Sequence, residues 1–236
     1  MTMSFPLETL TPANPDPSAS RTDKGVGCGH LVRHFRCIVA DPPWKYGAWG
    51  KSSGRGCRAG TFRPDIDVPT PLPYSSMTTE EIKALPVARL AADDCDLYLW
   101  TTQKYLPDAF GVLEAWGFRY CQTLTWCKTP RGTGQGGLYC PTTEFLLLGR
   151  KGKMPVKKRV DTTWWNVKRH QNCHSHKPEF FQDVIEAQSD GPRLELFARR
   201  KRPGWSVWGN EVESDVCMPN DQGDGSPSQD PNEGTK

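Results

Sequence analysis

Residues Phe35, Arg36, Cys37, Ile38, Val39 and Ala40 form a short, mostly apolar run that halts at Asp41-Pro42-Pro43. Proline fixes φ and supplies no N–H donor, so a strand that meets two in succession must end there. The run reads as a buried strand with a rigid turn and a carboxylate at its carboxyl end. The pattern then alternates. Thr78 and Glu81 have capping-box spacing, Ile82 and Leu85 supply a buried helix face, and Pro86 closes the turn. Residues 96–101 read as the next strand. Leu106, Ala109, Phe110 and Leu113 then share one helix face, with Gly117 where a C-terminal cap belongs. Two strands are expected over 118–126 and 145–148. A helix opening at Pro178 and carrying Phe180, Phe181, Val184 and Ile185 ends at Ser189-Asp190-Gly191-Pro192, before a last strand over 194–198. This alternation predicts an α/β chain with a parallel, doubly wound sheet and its ligands at the carboxyl ends of the strands.

The ends lack such periodicity. Residues 1–27, with Pro12, Pro15 and Pro17, read as a disordered arm, and the acidic, Gly/Pro/Ser-rich residues 213–236 as a disordered tail, leaving a domain over 28–212. Every apolar run is too short to span a membrane, and residues 1–20 lack a secretory profile. The nine cysteines are therefore expected as free thiols in a reducing compartment, and none stands at C-x-x-C spacing. His170, Cys173, His174 and His176 crowd potential ligands into one segment. Zinc sites draw on two separated pairs, so no metal is expected.

Charge is unevenly spread. The net is only +3, but residues 150–202 hold fourteen Lys/Arg against six Asp/Glu. A basic stretch beside Trp164 and Trp165 suits a polyanion with stackable bases, although a solvated lysine-rich loop fits the same composition. The two tryptophans read equally as base-stacking groups or loop anchors. Arg55, Arg58 and Arg63 in the Gly/Arg-rich loop over 45–72 read as solvated rather than phosphate-binding.

Asp41-Pro42-Pro43-Trp44 carries the clearest chemistry. The prolines fix a turn whose carbonyl oxygens are exposed, Asp41 adds a charged acceptor, and Trp44 offers a flat face for a base, worth about 1–3 kcal/mol when stacked. Such a set can hold an exocyclic amine by its hydrogens.

The motif resembles the D-P-P-W of the MT-A family of N6-adenine methyltransferases, related to the catalytic subunit of the eukaryotic mRNA methyltransferase, with bacterial and phage members most alike. The resemblance runs in order through Pro73-Tyr74-Ser75-Ser76-Met77, Leu97 to Trp100, Trp126-Cys127-Lys128, Glu144 to Gly149, Ser175-His176-Lys177-Pro178, Leu194 to Arg199, and Gly204-Trp205 with Gly209-Asn210-Glu211. It implies a Rossmann-like, mostly parallel methyltransferase fold in permuted motif order and S-adenosyl-L-methionine as cofactor. Asp41, Pro42, Pro43 and Trp44 would be the catalytic group. Asp41, Lys177, Leu196, Phe197, Arg199, Asn210 and Glu211 would bind the cofactor, and Trp44, Tyr74 and Glu144 the acceptor adenine. The basic Lys157, Lys158 and Arg159 are expected to overhang the reaction centre as a nucleic-acid clamp. The loop over 45–72 is longer than in many relatives. So little chain follows residue 198 that a small sheet is expected.

The implied activity is methylation of adenine N6 in nucleic acid, DNA favoured, in the cytoplasm of a bacterial host. RNA methylation and an inactive nucleic-acid-binding scaffold are the alternatives, and a partner subunit or homodimer is open. Attack by cysteine on cytosine is rejected, because it needs a cysteine after proline and Cys140-Pro141 runs in the opposite order. A duplex target would have to be flipped out to reach Asp41.

Overall fold

A computed structural model of the chain describes residues 34–45, 76–129, 139, 141–168 and 176–218. Seven strands, β1 (Phe35–Ala40), β2 (Ala91–Thr101), β3 (Arg119–Thr129), β4 (Thr143–Lys151), β5 (Trp164–Lys168), β6 (Arg193–Leu196) and β7 (Trp205–Trp208), hydrogen-bond in the order β5-β3-β4-β2-β1-β6-β7. Among the described residues three α-helices, α1 (Thr79–Lys83), α2 (Leu106–Ala115) and α3 (Glu179–Gln188), accompany them. β1 is parallel to both β2 and β6, β6 to β7 and β3 to β5. The architecture is α/β and Rossmann-like, with a mostly parallel sheet.

β1 lies inside the sheet and is buried on both faces, which is why its sequence is nearly continuous in apolar residues rather than alternating. Successive side chains point to opposite faces and divide the core in two. Ile38, Leu97, Leu99 and Leu147 pack with Val112 and Leu113 of α2. Val39, Tyr98, Trp100, Trp126 and Leu146 pack with Phe181 and Ile185 of α3. The local signals act as read: Thr78 and Glu81 form the capping box reciprocally, at 2.7 and 3.2 Å, and Gly117 takes φ +80° after α2.

The structure corrects three expectations. First, β4 is antiparallel to both β2 and β3. Antiparallel neighbours need no crossover between them, so the consecutive strands β3 and β4 pair directly. Second, the sheet is not small, because β5 lies within the basic stretch and β7 follows residue 198. Third, the domain does not stop at 212. The Asp215 N–H donates to the Val207 carbonyl at 2.8 Å, its carboxylate accepts from the Val207 N–H at 3.0 Å, and Met218 is buried in the core. These bonds cover the outer edge of β7.

At the amino end of the central strands lies a buried polar knot. Asp96, only 1% exposed, accepts from Arg150 Nε at 2.8 Å and from the Ser189 hydroxyl at 2.7 Å, while the hydroxyls of Ser189 and Tyr98 lie 3.0 Å apart. The knot ties β2 and β4 to the end of α3. Asp96→Ala would strand buried donors, and we expect it to lower unfolding free energy by about 2–3 kcal/mol in urea titration. A loss under about 0.5 kcal/mol, the usual surface range, would contradict this account.

Candidate active site

The turn after β1 is held from two sides. The Asp41 N–H reaches the Leu196 carbonyl at 3.5 Å, and the Pro42 carbonyl accepts from the Trp44 N–H at 2.8 Å. Met77, just before α1, donates to the Pro43 carbonyl at 2.8 Å and accepts from the Lys45 N–H at 3.0 Å. Two residues without N–H donors thus find partners for their carbonyls while Asp41 stays at the tip of the strand.

Trp44 departs from its expected role. It is 4% exposed, its ring lies parallel to Tyr105 with centroids 5.1 Å apart, and its indole N–H donates to the Trp100 carbonyl at 3.2 Å. Both its face and its polar edge are occupied, so it anchors the turn in the core rather than offering a surface to a base. Leu196 is fully buried and reaches the site only through its backbone. Tyr74 lies outside the described residues, as do Arg55, Arg58, Arg63, His170, Cys173 and His174.

Around Asp41 the charges alternate in a row. Lys177, next to the N-cap Pro178 of α3, donates to both Asp41 oxygens at 2.8 and 2.7 Å. It also lies 3.4 Å from Glu144 Oε2, and Glu144 Oε1 accepts from Lys128. Asp41 follows β1 and Glu144 belongs to β4, with β2 between them. Lys177 bridges that gap over the Trp100 ring of β2, 5.4 Å from its centroid.

Burial shapes these ionisations. It pushes the Asp41 carboxyl above its usual range, and Lys177 only partly offsets it. Burial also opposes charge on Glu144, but Lys177 and Lys128 outweigh it and hold that carboxyl below its usual range. For Lys177 the desolvation penalty is overcome by the two carboxylates, so its ammonium is held firmly charged. Lys128 was not among the expected site residues. Its position two residues after Trp126 in a strand, hence on the same face, was the available signal.

Two clefts meet at Asp41, Phe197 and Arg199. One extends beneath α3 past Lys177, Gln182 and Glu195. There Glu195 accepts from Gln182 Nε2 at 2.7 Å, and burial, with Asp41 adding to it, raises its carboxyl to about 7. The other runs along Met77, Trp208, Asn210 and Glu211. Phe197 takes φ +62°, unusual for a bulky residue, and turns the chain out of β6 so that Arg199 points toward Glu211, 3.4 Å away. Gly209 allows the close approach, since a Cβ there would stand 2.2 Å from the Ala198 carbonyl oxygen. The structure thus brings together Asp41, Lys177, Glu144, Phe197, Arg199, Asn210 and Glu211.

It does not bring Lys157, Lys158 and Arg159 to them. Because β4 is antiparallel, its carboxyl end lies beside the amino ends of its parallel neighbours. Lys151 is in register with Cys95, whereas Asp41 follows Ala40, which is in register with Leu99. The segment after Lys151 therefore starts roughly 16 Å from the level of Asp41. Lys157 pairs there with Asp190 beyond α3, and Arg159 with Asp161. Much of the remaining basic stretch is also matched. Arg200 pairs with Glu179, Lys201 with Asp215, and Arg202 with Asp183 and Glu186.

Comparison with known proteins adds a second line. The MT-A70 family profile matches residues 35–211. The chain is 32% identical over 186 residues to the type II methyltransferase M.MunI of Mycoplasma sp, covering 76% of this chain and 78% of that protein. It is 32% identical over 209 residues to the N(6)-adenine-specific methyltransferase METTL4 of Mus musculus, and 28% identical over 192 residues to the N(6)-adenosine-methyltransferase catalytic subunit METTL3 of Homo sapiens. The matches cover 79% and 78% of this chain but only 39% and 29% of those two longer proteins.

Proposed function

The chain belongs to the MT-A70 family and is a methyltransferase, and from that premise we propose that it transfers a methyl group from S-adenosyl-L-methionine to N6 of adenine in DNA. The observation that carries this reading is Asp41, a partly buried carboxylate standing where the two clefts meet. DNA is favoured over RNA because the type II methyltransferase aligns over most of its own length, whereas the adenosine methyltransferase aligns over less than a third.

The cleft of Phe197, Arg199, Asn210 and Glu211 fits the proposed cofactor. An aromatic face, an amide, a guanidinium and a carboxylate suit a base, a ribose and an amino acid in one ligand, and the close packing of Gly209 against Ala198 sets Asn210 and Glu211 on its wall. When bound, the cofactor supplies a methyl group already activated for transfer by its sulfonium.

The residues would then work as follows. The adenine amine is a poor nucleophile because its lone pair is delocalised into the ring. Hydrogen bonds from its two protons to Asp41 and to the second lone pair of the Pro42 carbonyl draw the nitrogen toward a pyramidal geometry and aim its lone pair. Trp44, locked on Tyr105, keeps that turn from yielding. Glu144 and Lys128 offer an acceptor and a donor toward the rest of the base. The Lys177 ammonium, bonded to Asp41 and beside Glu144, favours the ionised form of each carboxyl against burial.

Sequencing the genome of a bacterial host that expresses the protein tests the reading: N6-methyladenine at a defined sequence motif is expected. Methylated adenine confined to RNA would overturn the DNA assignment. Because Lys157, Lys158 and Arg159 follow β4 at the opposite end of the strands from Asp41, replacing all three by alanine is expected to leave the salt dependence of DNA binding nearly unchanged. Had all three touched phosphate, the log–log slope would flatten by roughly two to three units, and that result would contradict the placement.

A further inference from the structure

The two tryptophans that open β5 face opposite ways. Trp165 turns inward, its ring edge-on to Phe180 and Phe181 with centroids 5.9 Å from each. Trp164 turns outward and is 56% exposed, far more than a core aromatic. Strand alternation puts Asn166 and Lys168 on the face of Trp164, and all three are exposed. Among the described residues β5 is the edge strand of the sheet, with no further strand beside this row. It ends in Lys168, at the carboxyl end of β5 and in register with Thr129 at the end of β3. Lys168 forms no ion pair among the described residues, in contrast to Lys157 and Lys201.

We propose that Trp164, Asn166 and Lys168 form a platform that grips the single-stranded DNA flanking the target adenine, an inference that rests on the substrate class proposed above. Trp164 stacks on one base, Asn166 offers a donor and an acceptor to a base edge, and Lys168 neutralises a phosphate. The platform adjoins the site. Trp126 of β3 is in register with Glu144 on one side and Trp165 on the other. Strand spacing and rise therefore place Lys168 about 14 Å from Glu144. The row faces away from α3, so a strand lying on it reaches Asp41 by passing over the carboxyl end of β3 and the amino end of β4.

Two observations disfavour a protein partner. A docking face for protein would be apolar at its centre, yet two of the three residues are polar. Strand addition to the edge is also blunted at Trp164. The Thr162 hydroxyl accepts from the Trp164 N–H at 3.2 Å and donates to its carbonyl at 2.9 Å, occupying the groups a new strand would need. The same two bonds hold Trp164 in place before any ligand arrives.

The test is fluorescence anisotropy with a labelled, adenine-containing single-stranded oligonucleotide across a salt series, with oligomeric state followed by sedimentation. Trp164→Ala is expected to weaken binding by about fivefold to over a hundredfold, while Trp164→Phe, which keeps an aromatic face, retains most of it. Lys168→Ala should flatten the log–log salt slope by about 0.7. Circular dichroism should match wild type for all three, since the side chains are exposed. Unchanged affinity in Trp164→Ala, no binding by wild type, or a loss of affinity accompanied by a change in oligomeric state would overturn the platform. The last result would assign the face to a second copy of the chain. Methyl transfer to the same oligonucleotide is read separately: Trp164-dependent binding without methylated adenine would sink the proposed reaction and leave the platform standing.

Discussion

Asp41→Ala is expected to slow methyl transfer by about a hundredfold to a thousandfold, the range seen when one preorganised hydrogen-bonding group is removed from a reaction centre. The fold should survive. The side chain is 24% exposed and touches Lys177 rather than the apolar core, and the turn it heads is held independently by Met77 and by Trp44 against Tyr105. The removed carboxylate also leaves Lys177 beside Glu144, so no buried charge is stranded. Initial rates with an adenine-containing duplex check the first part and urea midpoints the second. Activity within tenfold of wild type would remove Asp41 from the chemistry. Lost activity with a collapsed midpoint would make the residue structural.

Lys177→Met should be nearly as damaging, and its signature is a pH shift. Methionine keeps the length of the side chain but removes the cation shared by two carboxylates. Asp41 is already pushed above its usual range by burial, and Lys177 is the main influence holding it down. Without it Asp41 rises further, and Glu144 loses the larger of its two balancing charges. A group with a raised folded-state pKa stabilises the fold below its unfolded pKa and loses that contribution as pH rises through the folded value. The variant should therefore lose stability relative to wild type as pH rises through the ionisation of Asp41. Its methylation at neutral pH should fall by about a hundredfold, because a larger share of Asp41 is then protonated and a protonated carboxyl is a poorer acceptor. The residual activity should climb as pH is raised, with the acid limb of the profile shifted upward. An acid limb at the wild-type position would show that Lys177 does not set the ionisation of Asp41.

How far the sequence discloses this site depends on what kind of information each residue carries. The strand ending in Asp41 is legible because proline stops a strand wherever it occurs. Lys177 and Glu144, 33 residues apart in the chain, are legible only through resemblance, since no spacing rule brings them together. Trp44 is misread because its turn has no period from which a face can be assigned, and only the stacking on Tyr105 shows that it points inward. The direction of β4 is invisible to an apolar pattern, which reads the same both ways. That one reversal carries Lys157, Lys158 and Arg159 to the opposite end of the strands from Asp41. Charge counting fails over residues 199–202 for a related reason: it records how many cations there are, not that Glu179, Asp183, Glu186, Glu211 and Asp215 come to meet them. Trp164 and Trp165 cannot be separated by composition, yet strand alternation divides them once β5 is known to be a strand.

The most direct measurement incubates the protein with S-adenosyl-L-methionine carrying an isotopically labelled methyl group and an adenine-containing DNA duplex, then digests the DNA to nucleosides for mass spectrometry. The account predicts label in N6-methyldeoxyadenosine with the wild-type protein and its near-disappearance with Asp41→Ala. Label on cytosine, or label on adenine undiminished by Asp41→Ala, would contradict it.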